Sequence, residues 1–200
     1  MSGSSQRSAA MERLCEAALR RGASGAKAVP AAGIRTEQRL ADMCLEPRCE
    51  NYGLSASCPP RVKGPGAFGE LLTHCSHGLV VKLEVPSEIL LSAQRREVFQ
   101  VLHELVAHLE SEAMAVGFDH AHAFAGGSCK NLFCDDLPDC QVLGGQTCRH
   151  PDRARPSMSG YGVDVTALAA AAGWELDPVR MNPEAGNSPM GLVIGLVLVG

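Results

Sequence analysis

Between residues 78 and 126 the chain spells a strand, a long helix and a second strand without interruption, and this run constrains the fold more than any other feature. "GLVVKLEV" at 78–85 is rich in branched apolar residues and is bounded by Gly78 and Pro86, the pattern of a strand. Val98, Val101, Leu102, Leu105, Leu109, Ala113 and Val116 then trace one face of a helix from near Ser92 to Val116, and Gly117 ends it. "FDHAHAFAG" follows as a second strand. This order predicts a right-handed parallel crossover. Loops that leave such strand ends collect on the face where ligands bind, and a cysteine-rich stretch begins there at Cys129.

The rest of the chain extends this unit into a single α/β domain over residues 9–200, a mixed β-sheet flanked by helices with irregular cysteine-rich loops. Residues 1–8 are small and polar and are expected to form a disordered lead-in. Met11, Leu14, Ala17, Ala18 and Leu19 recur at helical spacing over 8–21, and Gly22 stands where that helix stops. "AKAVPAAGI" supplies a brief extended segment, and "TEQRLADM" a helical turn or two leading into Cys44. Prolines 47, 59, 60 and 65 with glycines 53, 64, 66 and 69 break regular structure between Cys44 and Gly69. Asp164 can cap a helix over 165–172, closed by Gly173. "WELDPVRMNP" reads as a strand and turn, and "MGLVIGLVLVG" at 190–200 as a buried last strand, about half the length a membrane-crossing helix needs.

Composition excludes several function classes. A content of 46% hydrophobic residues excludes bulk disorder, and a formal charge of -4 without a long basic tract argues against a nucleic-acid partner. The segment "MSGSSQRSAAMERLCEAALRR" has no continuous apolar stretch before a cleavage site, so it does not read as a secretory signal, and a cytoplasmic location without membrane attachment is expected. In a reducing compartment the nine cysteines are ligands or redox groups before they are disulfides.

Eight of the nine divide into two sets of four: Cys44-x4-Cys49-x8-Cys58 with Cys75 beyond, and Cys129-x4-Cys134-x5-Cys140-x7-Cys148. Four thiolates satisfy a tetrahedral zinc ion or an iron–sulfur cube. Loops rich in proline and glycine let thiolates converge, and a metal supplies the ordering energy such loops lack. Lys130, Arg149, Arg153 and Arg155 beside the second set, and Arg48, Arg61 and Lys63 beside the first, offer counter-charge. Cys15 lies on a helical apolar face and reads as a small buried hydrophobe. Cys75 is flanked by His74 and His77, either of which could take its place. His103 and His108 are expected at the surface or edge of the long helix, and His120 and His122, which share one face of a strand, in ordinary packing. No catalytic constellation is identified: there is no phosphate loop with its lysine and no Gly-x-Ser-x-Gly elbow, and Asp135 and Asp136 read as a solvated pair.

At "CLEPRCENYGLSASCPP" together with "GGSCKNLFCDDLPDCQVLGGQTCRHPDRARPSMSGYGVDV" the chain resembles a family of predicted metal-binding proteins catalogued as domain of unknown function 2284, over roughly residues 9–199. The family pattern joins a Cys…Cys…Tyr-Gly…Cys-Pro-Pro element to a later cysteine cluster closed by Cys-Arg-x-Pro…Arg-Pro-Ser-Met. The resemblance implies metal ligands at Cys44, Cys49, Cys58, Cys129, Cys134, Cys140 and Cys148, and leaves Cys75 outside the matched elements. Many relatives place the later cysteines in Cys-x2-Cys steps, tighter than the gaps of four and five here. Within the matched motif Arg149, Arg155 and Ser157 could donate to cluster sulfurs or to an anionic partner, and Pro59 and Pro60 stiffen the chain after Cys58.

These readings converge on a cysteine-ligated metal protein with a [4Fe-4S] cluster on the second set and a second centre on Cys44, Cys49, Cys58 and Cys75, acting in electron transfer with a redox protein partner. The alternative is structural zinc in a protein-interaction module, or an iron–sulfur redox enzyme with a pocket beside Cys129–Cys148.

Overall fold

The computed structural model describes residues 3–175 and 189–200. Seven helices, α1 (Gly3–Arg20), α2 (Gln38–Asp42), α3 (Gly64–Leu72), α4 (Ser87–Leu90), α5 (Arg95–Ala115), α6 (Cys129–Phe133) and α7 (Val165–Ala171), accompany four strands among these residues. The strands are β1 (Gly25–Pro30), β2 (His77–Pro86), β3 (Ala121–Phe124) and β4 (Met190–Val199), in the sheet order β1-β2-β4-β3. The expected "WELDPVRMNP" strand and turn falls almost entirely outside the described residues.

The α/β class stands, and the pairing differs from the expected crossover in one instructive way. β2 and β3 flank α5 and run parallel, but β4 lies between them, so every ladder is antiparallel. The reason lies in the apolar run of β4. Nearly every residue from Gly191 to Val199 is buried, which requires a central strand with both faces covered. β4 therefore takes the middle position and pairs with β2 along ten residues, His77↔Val199 through Pro86↔Met190.

Two cores lie on opposite faces of this sheet. Leu79, Val81, Leu83, Val193, Val197 and Val199 point toward α1 and α5, meeting Leu14, Leu102, Leu105 and Leu109. Val80, Ile194, Leu196 and Leu198, one residue out of phase, point the other way, toward Phe68 of α3, Met158, and Leu168 of α7. The alternation is the period-two geometry of a strand. Each fully buried Leu or Val contributes about 1.5–3 kcal/mol relative to exposure.

α1 begins at Gly3, within the stretch expected to be a disordered lead-in. Ala10 and Met11 anchor the helix in the first core, and extending a helix that is already formed costs little. α3 replaces part of the expected irregular segment: Pro65 suits a first helical turn, and the apolar side of Phe68, Leu71 and Leu72 finds the second core. Asp164 caps α7 as expected, its carboxylate accepting the Ala167 N–H at 2.9 Å.

The cysteine loops gather at one end of the sheet. Ala125, just past β3, bridges Ser157 in parallel fashion, accepting the Met158 N–H at 3.0 Å and donating to the Pro156 carbonyl at 3.0 Å. Ser157 in turn donates its N–H to the Ser57 carbonyl at 3.0 Å. The matched "RPSM" stretch is thus a strap that ties the first cysteine loop to the strand from which the second departs.

Candidate metal centre

Cys129 opens α6, Cys134 ends it, Cys140 precedes a short 3-10 turn at Gln141–Gly144, and Cys148 follows in the next coil. All four line one small cavity of about 20 Å³, together with Phe133, Arg149 and His150. Loop hydrogen bonds explain the convergence. The Lys130 ammonium donates to the carbonyls of Cys134 and Leu137, both at 2.7 Å, and so folds the chain back after α6. Arg149 donates to the Asp139 carbonyl at 3.0 Å, and the His150 N–H points at the Cys148 sulfur at 3.4 Å. N–H donors and cations of this kind stabilise bound thiolates.

Cys44, Cys49 and Cys58 line a second, open cavity of about 430 Å³ with Tyr52, Pro59 and Ser157. Cys44, just past α2, donates its N–H to the Ala41 carbonyl in the last turn of that helix, Cys49 donates to the Cys44 carbonyl, and the Cys58 carbonyl accepts from Arg61 and Val62, so tight turns hold all three. Burial raises the Cys44 thiol above its usual range, and the neighbouring sulfurs of Cys49 and Cys58 push the same way. Cys129 stands between the two sets. Burial pushes its thiol up to about 11, against the pull of the Ser57 and Ser55 hydroxyls, with Cys58 and Cys140 adding repulsion. Two loops that are remote in sequence therefore meet at Cys58 and Cys129.

Cys75 is the exception to the expected grouping. Its half-buried side chain packs against the second core beside Leu71 and Leu72, with its thiol raised by burial, and it lines neither cysteine cavity. The end of α3 carries it to the base of β2, leaving the first set with three thiols. Cys15 packs against the first core, its thiol raised chiefly by burial.

The flanking residues divide similarly. Ser157 is 6% exposed and faces the three-cysteine cavity. Arg149 lines the four-cysteine cavity. Arg155 faces neither: its guanidinium is committed to Glu110 at 2.7 and 2.8 Å and to the carbonyls of Pro151 and Ala154. Arg153 pairs with Glu104 at 3.1 Å and lies over the Phe133 ring. The partners are glutamates on α5, against which the second loop folds.

His103 corrects the expectation of a surface position. It is fully buried, because the second cysteine loop covers that side of α5 as well. The Gly126 carbonyl can only accept and the Arg155 N–H can only donate, so the ring is neutral, with Nε2–H donating to Gly126 at 3.0 Å and Nδ1 accepting from Arg155 at 3.2 Å. His108 and His120 are exposed, and His122 is partly so. Ser55, Ser57, Asn51 and Ser128 also border the cysteine cavities or Cys129, and nothing in their spacing along the chain distinguishes them from loop polar residues.

The donor chemistry fits a thiophilic metal: soft sulfur, nearby N–H groups and cations. Among the described residues, no three His, Cys, Asp or Glu side chains are drawn in closely enough to hold a metal ion as they stand. The thiols surround common spaces without closing on them. Metal binding would have to draw them in and displace their protons, the Cys129 proton at the greatest cost. No described helix is long and apolar enough to cross a membrane.

The family described as "Predicted metal-binding protein (DUF2284)" matches residues 27–199. No curated protein and no solved structure matches the chain significantly.

Proposed function

The chain belongs to the DUF2284 family of predicted metal-binding proteins, and from that premise we propose that it holds metal at two adjacent cysteine centres and serves as an iron–sulfur protein that passes electrons to a redox protein partner. The observation that carries the reading is that Cys129, Cys134, Cys140 and Cys148 line one small cavity, with Cys58 of the other set near enough to Cys129 to raise its thiol further. A [4Fe-4S] cluster, when bound, supplies one-electron chemistry, and its potential depends on hydrogen bonds to sulfur and on burial. The chain contributes the His150 N–H at Cys148, the Arg149 charge, and the apolar ring of Phe133.

A second reading, zinc at the four-cysteine centre, is favoured by one dimension. A space of about 20 Å³ holds about one water-sized sphere and suits a single ion, whereas the 430 Å³ three-cysteine cavity has room for a cluster. Zinc there would pin the loop and leave redox work to the first centre.

Iron, sulfide and zinc analysis with an absorption spectrum on anaerobically purified protein separates these readings. Bound iron with sulfide and a brown colour bleached by oxidation is expected; colourless protein with stoichiometric zinc would refute the iron–sulfur assignment. Cys134→Ser is expected to empty the second centre and leave the first, and Cys49→Ser the reverse. Full metal content in both variants would end the two-centre proposal. Cys75→Ser, remote from both cavities, is expected to retain all its metal.

A further inference from the structure

Beside the three-cysteine cavity lies a larger one of about 730 Å³, and the two share Asn51, Gly127, Ser128, Ser159 and Val165. Its floor is apolar, made by Leu90, Phe99, Met158, Leu192 and Val193. At the boundary between the cavities stand two buried polar atoms without partners among the described residues, the Asn51 Oδ1 and the Ser128 Oγ. Ser128 is only 5% exposed and occupies the N-cap position of α6, where a serine hydroxyl ordinarily accepts a helix N–H. It makes no such bond. A buried hydroxyl or amide left unpaired costs about 1–3 kcal/mol, a cost that a ligand's polar head could offset.

We propose that this double cavity binds a small organic acid with an apolar body and a hydroxyl or amino group next to its carboxylate. The head requires both kinds of hydrogen-bonding group, an acceptor for the Ser128 O–H and a donor for the Asn51 Oδ1. Arg95 and Glu50, at the cavity wall, match a carboxylate and an adjacent donor in charge. The body lies along Phe99 and Leu90, and the size is within the range of small-molecule sites. Cys75 being elsewhere, the first set has three thiols, and the head, at the boundary that the two cavities share, lies beside the cavity these thiols line. In this last respect alone the inference rests on the metal reading.

The test is binding of phenylalanine and of 2-hydroxy-3-phenylpropanoate to the full chain, purified anaerobically, by calorimetry and saturation-transfer NMR, with metal content measured on the same samples. At least one of the two is expected to bind, and 2-phenylethanol, which lacks the carboxylate, to bind at least tenfold more weakly. Ser128→Ala and Asn51→Ala are expected to weaken binding by about tenfold or more at matched metal content, since each removes the partner of a buried group. Exposed His108→Ala is expected to bind as the parent does. Failure of both acids to bind metal-loaded protein would overturn the inference, as would undiminished binding by both cavity variants or equal binding of 2-phenylethanol. Binding that survives in protein devoid of metal supports the cavity while refuting the metal reading.

Discussion

Gly162→Ala is expected to destabilise the protein by about 3 kcal/mol and to loosen the first cysteine centre with it. Gly162 has a positive φ of 70°, and a Cβ there would lie 2.4 Å from the Glu37 carbonyl oxygen. That oxygen cannot retreat freely, because it accepts the Leu40 N–H at the start of α2, while the Glu37 N–H is held by the Gly162 carbonyl at 2.7 Å. Thr36 and Val163 are bridged immediately alongside. Relief of the clash therefore shifts α2, and α2 leads directly into Cys44. Gly66→Ala is the control. Gly66 lies within α3 with open space around its added Cβ, and the change should be neutral or stabilising by up to about 1 kcal/mol. Denaturant midpoints of the two variants check the contrast, and equal midpoints would show that the Glu37 contact relaxes without cost.

Acidification through the range from pH 6.5 to about 4 should remove on the order of 3 kcal/mol of stability through His103 alone. Burial lowers this imidazole's pKa from 6.5 to about 4, against the contrary pull of the Gly126 and Arg153 backbone groups, and the nearby Arg155 charge lowers it further. The unfolded chain binds the proton below pH 6.5, whereas the folded chain resists it until about pH 4. The contribution is therefore complete above 6.5 and is lost progressively as pH falls toward 4. Protonation also places a second hydrogen on Nδ1, facing the Arg155 N–H that it accepts at 3.2 Å. His103→Gln has no titrating group at this position. It should be less stable than the parent at pH 7.5 and should show a shallower loss between pH 6.5 and 4 in unfolding experiments. Any acid-dependent loss of bound metal would be common to both proteins, so the difference between their slopes reports His103. Parallel slopes would mean that the ring is not held neutral by burial.

What the sequence determined by itself is the local grammar and the chemistry. Branched apolar runs specify β2 and β4, the 3.6-residue stripe specifies α5, and Asp164 and Gly173 bracket α7, because each is a property of neighbouring residues along the chain. The identity of the cysteines as the candidate ligands was also legible, since thiols on proline- and glycine-rich loops announce their chemistry whatever the fold. Tertiary structure alone decided the rest. Placement of β4 between β2 and β3 follows from the need to cover both faces of the most apolar strand, a comparison across the whole chain. The meeting of Cys58 with Cys129, the removal of Cys75 to the second core, the burial of His103 under a loop and the commitment of Arg155 to Glu110 all depend on side chains brought together from distant positions. No spacing rule along the chain encodes those distances, because the sheet order sets them.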